Sequence, residues 1–347
     1  PPSPLSIPRT LRMLIRHTPL PRRRVLAIGA VAAGLSLLPH RLLRAEGVPV
    51  RVWRGVALGA DASLTIAHPD PAEADRLIAL SLEEVERLER VFSLYRPDSA
   101  LRRLNRDGRL DSPPADLVRL LSEAAAFGRT TGGAFDPTVQ PLWQLYAGHF
   151  ERANADPAGP PESAVRAARA LVDVRALRVE PDRIAFAAGG MAVTLNGIAQ
   201  GYVTDRVTER LKTEGIGNVL VDMGELRALG HHPSGRPWTV GLADPRAPDR
   251  STETVDLTDG AMATSGGYGT QFDAAGRFTH LFDPASGTCA AQWLAVTVQA
   301  ADATTADALS TALSVVPADR APAILATHPG VTARFTHPDG RILRLPA

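Results

Sequence analysis

Residues 301–316 read ADATTADALSTALSVV, with Asp307 and Thr311 four positions apart. Residues so spaced share one face of a helix, which would aim a carboxylate and a hydroxyl, both hard oxygen donors, in one direction. Magnesium accepts such a set, because it takes few protein oxygens and leaves room for substrate phosphates. The plainer reading is a helix capped by Thr304 or Thr305, with Asp307 solvated and Thr311 turned inward. A second stretch, RFTHLFDPASG at 277–287, puts His280 at the end of a short apolar strand, before a turn marked by Asp283-Pro284 and Gly287. Such an imidazole is either a packed strand end or an acid–base group at the mouth of a site.

Three further stretches carry binding chemistry. VTLNGIAQGYVTDRV (193–207) places Asn196-Gly197 and Gly201 where a strand passes into a helix. Glycine there lets backbone approach a ligand, and a helix start favours phosphate; a tight turn with close helix packing is the alternative. Neither GxGxxG nor a P-loop lysine is present. GGAFDPTVQPLWQLY (132–146) sets the flat Phe135 beside Asp136, which suits a planar heterocycle or a plain core. VFSLYRPDSALRRLN (91–105) sets Tyr95 beside Arg96 and a Pro97-Asp98-Ser99 turn. His231-His232 is no metal pair, because adjacent side chains point apart and the flanking Pro233-Ser234-Gly235 reads as exposed loop.

These residues need elements to hold them. Helical periodicity predicts a helix over 72–93 with Ile78, Leu82, Val85, Leu88 and Phe92 on one face and Glu83, Glu84 and Glu86 opposite. Further helices are predicted over 115–133, ended by glycines, and over 198–215, with Val203, Val207 and Leu211 in step. Apolar runs predict strands at 192–195, 218–223, 238–242 and 293–300, and a hairpin across Pro338-Asp339-Gly340. Residues 151–165 are the most loop-like interior segment. The mixture predicts one large α+β domain over 47–347, with mixed sheets and packed helices.

Composition narrows the function. Of 347 residues 44% are hydrophobic and 22% charged, enough for a large core. The single cysteine, Cys289, rules out an internal disulfide. Residues 1–45 hold eight arginines and no acid, leaving the remainder at a net −7, which argues against nucleic acid. Within that start, Arg22-Arg23-Arg24 precedes an apolar run from Val25 to Leu38 and then Arg41 and Arg44. A charged stretch ahead of about fourteen apolar residues is a signal-peptide layout, too short to span a bilayer. The paired arginines resemble a twin-arginine signal, which implies export to the periplasm and no stable membrane span in the mature chain.

In order, FSLYRPDS…LN, GAFDPTVQPLW, LNGIAQGY, LVDMGELRALG, ATSGGY, THLFDPASG and ADALSTAL resemble the ApbE family of FAD:protein FMN transferases from about Arg51 to the C-terminus. The wording of LVDMGELRALG and the twin-arginine start resemble the NosX branch, associated with nitrous oxide respiration. The resemblance implies an ApbE-like, T-fold-related domain. It also implies a magnesium-dependent exported enzyme that attaches FMN from FAD to a Thr or Ser hydroxyl of an acceptor protein, NosR-like in that branch, and releases AMP. By the same resemblance His280 is the base, and Asp307, Thr311 and a backbone oxygen near Gly197 hold Mg2+. FAD touches Leu58, Tyr95, Ala134, Phe135, Asp136, Thr194, Gln200 and Leu281. The chain departs from the family's usual residues at Leu58-Gly59-Ala60, at Thr194 for an acid, at Gln200 for a lysine, and at Gly224-Glu225, one glycine short. Two rivals share the site: an FAD pyrophosphatase giving FMN and AMP, and a flavin carrier without chemistry. A serine hydrolase at ATSGGYG lacks the G-x-S-x-G elbow.

Overall fold

The structure, a computed structural model, describes residues 48–346; the twin-arginine segment read at 1–45 lies outside them. The chain opens with β1 (Val50–Ala57) and β2 (Ala60–Ala67), antiparallel across a two-residue turn in which Leu58 and Gly59 have φ of 50° and 82°. Positive φ at both positions matches the twist of a tight hairpin. The Leu58 N–H is fixed by donating to Glu89 Oε1 at 2.7 Å.

Glu89 lies on α1 (Pro71–Phe92), whose buried stripe is Leu77, Ser81, Val85, Leu88 and Phe92. Ile78 and Leu82, expected inside, are only half-buried. The face turns because Ser81 can line the core once its hydroxyl donates to the Leu77 carbonyl at 2.8 Å. Next come α2 (Ala100–Asp107), β3 (Arg109–Asp111), α3 (Ala115–Thr130), α4 (Gln140–Phe150), α5 (Glu162–Arg169), β4 (Leu177–Val179) and β5 (Arg183–Phe186). The three short strands form a small sheet in the order β3-β5-β4. The segment read as loop, 151–165, is mostly turns, with α5 opening inside it.

The remainder builds the main layers. It comprises α6 (Ala199–Thr213), β6 (Val219–Asp222), β7 (Leu226–Leu229), β8 (Trp238–Asp244), β9 (Ala247–Leu257) and β10 (Gly260–Ser265). These are followed by β11 (Ala295–Ala300), α7 (Ala303–Ser314), α8 (Ala321–Leu325), β12 (Thr332–Thr336) and β13 (Ile342–Leu345). Eight strands form one antiparallel sheet in the order β1-β2-β6-β7-β10-β11-β12-β13. Successive strand residues face opposite sides, and the side chains sort accordingly. Val219, Val221, Ala263, Val296 and Val298 meet a core shared with Val203, Val207 and Leu211 of α6 and Leu309 and Leu313 of α7. Leu220 and Met262 instead meet Trp238, Val240 and Leu242 of the β8–β9 hairpin, which covers the other face. The result is the expected single α+β domain, and the C-terminal hairpin is present as β12–β13. No helix among the described residues is long and apolar enough to cross a membrane.

Two expected strands are absent. Ala192–Leu195 is irregular, because its backbone is satisfied by other groups. Val193 N–H donates to Asn105 Oδ1 and Asn105 Nδ2 donates to Val193 O, both at 2.8 Å, while Thr194 N–H donates to Pro137 O. The segment around His280 forms only isolated bridges, Gln271 with Thr279 and Phe282 with Cys289. It is shaped by its aromatics: Phe278 and Phe282 flank the histidine and both pack on Tyr146, at 5.8 and 5.2 Å between ring centres.

Candidate active site

The site forms where α6 and α7 cross beside the ends of β7 and β10. The helix over 303–314 begins at Asp302, whose carboxylate accepts from Thr305 N–H, so the cap is the aspartate and neither threonine. Asp307 and Thr311 fall on one face of it, as their spacing requires. Asp307 is 3% exposed, and its Oδ2 accepts from Gly201 N–H at 3.0 Å. Thr311 Oγ1 lies 3.5 Å from Gly197 O and 3.3 Å from Ser265 Oγ at the end of β10. Ser310 donates to the Asp307 carbonyl, and Ser265 Oγ sits 2.7 Å from the Ser310 hydroxyl.

Glycines make this approach possible. A Cβ on Gly197 would stand 2.8 Å from Thr311 Oγ1, and one on Gly201 only 2.2 Å from Ala303 O. Gly224 has φ of 103°, and a Cβ there would lie 2.6 Å from Gln200 Nε2. That amide nitrogen is buried without a hydrogen-bond partner, so Gln200 has a donor to spare at the α6 N-terminus.

Acids dominate the local electrostatics. Burial pushes Asp307 up to about 7, helped by the Asp205 charge and opposed by the Gly201 N–H. Asp222 also rises to about 7 through burial, with Asp61 adding to it. Glu225 is raised well above the carboxylate range by burial, then by Asp307 and Asp222. Gly224, Glu225, Thr264 and Tyr268 line a cavity of about 40 Å³ between the sheet and the β8–β9 hairpin. Burial and Glu225 together lift Tyr268 to about 12.

His280 stands on the loop after β10. Its N–H and its Nδ1 both face Thr270 O, at 3.1 and 3.2 Å. A carbonyl only accepts, so Nδ1 carries the proton and Nε2 keeps a free lone pair. Burial lowers its pKa, against the opposing Thr270 bond. The imidazole is therefore neutral and basic at Nε2 near pH 7.

Residues 58–335 match the profile of the ApbE family. The chain belongs to that family. It is 31% identical to the FAD:protein FMN transferase of Haemophilus influenzae over 317 residues, 86% of this chain and 89% of that protein. It is 34% identical to the one from Vibrio cholerae over 260 residues, 73% and 75% of the two chains. Among solved structures it is similar to the flavin transferase ApbE from Vibrio cholerae, with a TM-score of 0.73 at 27% identity, covering 86% of this chain and 97% of that one. The apo form of Pseudomonas stutzeri flavinyl transferase ApbE gives 0.71 at 29%, covering 86% and 94%.

Within this ApbE fold the expected residues fall into groups. Gly197, Gln200, Asp307 and Thr311 meet at the α6–α7 crossing. Thr194 is tied to the Phe135-Asp136-Pro137 run through its N–H to Pro137 O. Leu58 is tied to Glu89 in the last turn of α1, and Tyr95, 52% exposed, follows that helix. Leu281 follows His280 and is buried. Of the two readings open for Phe135, its ring takes the core one, being 4% exposed and edge-on to Phe127 at 6.2 Å. Ala134 is buried too. The Asp136 carboxylate is occupied by Thr138 N–H, Thr138 Oγ1 and Val174 N–H, which makes it a local cap. Ser265, Ser310, Asp205, Asp222 and Glu225 were not singled out by spacing. Ser265, Ser310, Asp222 and Glu225 do lie within the motifs ATSGGY, ADALSTAL and LVDMGELRALG, which is the signal that could flag them.

Proposed function

We propose that this chain transfers FMN from FAD to a Thr or Ser hydroxyl of an acceptor protein, releasing AMP. The observation that carries the reading is a tautomer-fixed base together with converging oxygen donors: His280 with Nδ1 on Thr270 O, and Gly197 O, Thr311 Oγ1 and the Asp307 carboxylate. The strand end joins them, since Ser265 reaches Thr311 and Gly267, two residues on, packs against Thr279 beside His280. The activity named for the relatives supports the choice of substrate and product. In the proposed step the acceptor hydroxyl gives its proton to His280 Nε2 as its oxygen bonds to the phosphorus of the FMN half. The bond from that phosphorus to the bridging oxygen breaks, and the oxygen leaves with its electron pair on AMP.

The donors fit a magnesium ion. Among the described residues no three His, Cys, Asp or Glu side chains gather as a metal cluster. The set is instead mixed and hard, one carboxylate, one hydroxyl and one carbonyl, of the kind Mg2+ takes alongside substrate phosphates. Gly197 O, Asp307 and Thr311 Oγ1 would hold it, and when bound it would neutralise charge on the diphosphate. Leu58, Tyr95, Thr194, Gln200, Leu281 and the main chain of Ala134-Phe135-Asp136 would border the flavin nucleotide. The Arg22-Arg23-Arg24 start supports twin-arginine export to the periplasm, and with LVDMGELRALG it supports a NosX-like role toward a NosR-like electron-transfer protein.

The test mixes the chain, FAD, Mg2+ and a NosR-like acceptor domain, and views a denaturing gel for flavin fluorescence. A fluorescent acceptor band, lost with chelator, with His280→Ala and with Asp307→Ala, is expected. Free FMN and AMP without a band would favour the pyrophosphatase; bound FAD with neither product would leave a carrier.

A further inference from the structure

Asp205 lies on α6, one turn beyond Gly201, and is nine-tenths buried. Its Oδ1 accepts from Ala303 N–H at 2.9 Å and from Arg227 Nη1 at 2.8 Å. Its Oδ2 accepts from Thr304 N–H at 2.8 Å and from Thr304 Oγ1 at 2.5 Å. Ala303 and Thr304 open α7 one turn before Asp307, and Arg227 sits on β7, two residues after Glu225. One carboxylate thus ties α6, the start of α7 and β7 together. The tie lies one turn from the donors on each helix: Gly201 precedes Asp205 by four residues, and Asp307 follows Ala303 by four. Helices in contact can slide in small steps, and a slide here would separate Gly197 O from Thr311 Oγ1. Four charge-assisted bonds to one rigid carboxylate oppose that slide.

We infer that Asp205 is a positioning residue, a clamp that sets the register of α7 on α6 and thereby the spacing of the divalent-cation donors Gly197, Asp307 and Thr311. This rests on the cation site proposed above. Asp205 touches neither nucleotide nor ion; it acts through the helix it holds. Groups that orient metal ligands from behind typically change metal affinity 10- to 100-fold when removed.

The test measures Mn2+ binding to the full chain by electron paramagnetic resonance, without FAD, beside the Mg2+ dependence of transfer. Asp205→Asn should weaken Mn2+ by roughly tenfold, while kcat at saturating Mg2+ stays within about threefold of the parent. Asp205→Asn also removes a negative charge near Asp307, so Thr304→Val is the deciding variant: it keeps the charge and deletes only the 2.5 Å bond. Thr304→Val should weaken Mn2+ several-fold and Thr304→Ser should restore it. Unchanged Mn2+ affinity in Thr304→Val overturns the clamp, whatever Asp205→Asn does, and Thr304→Val decides alone if Asp205→Asn fails to fold. Asp307→Ala separates the two readings: if it binds Mn2+ as the parent does, the cation site fails and the clamp with it. If Asp307→Ala loses Mn2+ while Thr304→Val does not, only the clamp fails.

Discussion

Gly201→Ala isolates the crossing of the two site helices, because two principles predict opposite signs for it. Gly201 is inside α6 with ordinary helical φ, and intrinsic propensity favours alanine there by about 1 kcal/mol. The packing says otherwise. The new Cβ would stand 2.2 Å from Ala303 O, 2.6 Å from Ala303 C and 2.9 Å from Asp307 Cβ, where ordinary contact begins near 3.4 Å. The nearest atoms are backbone and cannot rotate away, so α7 must move off α6 by about 1.2 Å. Overpacking of this kind costs about 1–3 kcal/mol, and a domain of this size loses about 2–4 °C of melting temperature per kcal/mol. A fall of about 2–12 °C is expected. The displaced residues include Asp307, and misplacing a reacting constellation by about 1 Å costs on the order of 100-fold in rate. Gly148→Ala is the internal control: it too sits in a helix, but its Cβ would meet nothing within 4 Å, so it should hold or raise the melting temperature. Calorimetry on both variants with the gel assay gives the answer. A Gly201→Ala protein as stable as Gly148→Ala, with full transfer activity, would refute the close crossing.

His280→Ala should reduce transfer by about 10²–10⁴-fold, the range for a lost general base. In the parent, burial lowers the His280 pKa, so Nε2 stays unprotonated further into acid; kcat against pH should fall with an acid-limb midpoint below the ordinary value of about 6.5. A midpoint above 6.5 would remove His280 as the base. Asn105→Ala should lower stability by about 2–4 kcal/mol, since Val193 N–H and C=O would both lose their partner; urea unfolding measures it, and a change below about 0.5 kcal/mol would contradict the pairing. The two aromatics should separate by assay. Tyr95→Ala, at a half-exposed ring, should raise the KM for FAD by up to about tenfold with little change in stability. Phe135→Ala, at a core ring, should cost about 3–5 kcal/mol of stability.

What could be read in advance was local, and what could not depended on distant partners. The Asp307–Thr311 face follows from helical spacing alone. Its cap does not, because Asp302, Thr304 and Thr305 are all capping residues and only the backbone path chooses among them. Ala192–Leu195 is an apolar run that reads as a strand, but Val193 bonds on both sides to the Asn105 side chain, 88 residues away. Phe135 presents the same aromatic to a ligand or to a core until Phe127 is known to lie against it. Asp205 carried no signal: an acid in a helix normally reads as solvated, and its partners Ala303 and Thr304 lie 98 and 99 residues further on.

The buried acids bear on why the proposed cation belongs with the rest of the site. Asp222, Glu225 and Asp307 are each raised by burial, and the charges that push them further are again acids: Asp61 on Asp222, Asp307 and Asp222 on Glu225, and Asp205 on Asp307. Arg227 on β7 is already committed to Asp205 and Glu209. A nucleotide diphosphate approaching this cluster meets like charge in a poorly screened setting, which disfavours binding. Protonating the acids would relieve the repulsion but would offer nothing to neutralise the phosphates. The proposed divalent ion on the Asp307 face would do both, keeping the carboxylate ionised and countering the anion. The same electrostatics explain why a neutral histidine, rather than a charged base, suits the proton transfer. In the proposed step His280 at pH 7 would add no charge until it took the hydroxyl proton, and the positive charge it then gained would appear as negative charge built on the departing AMP oxygen.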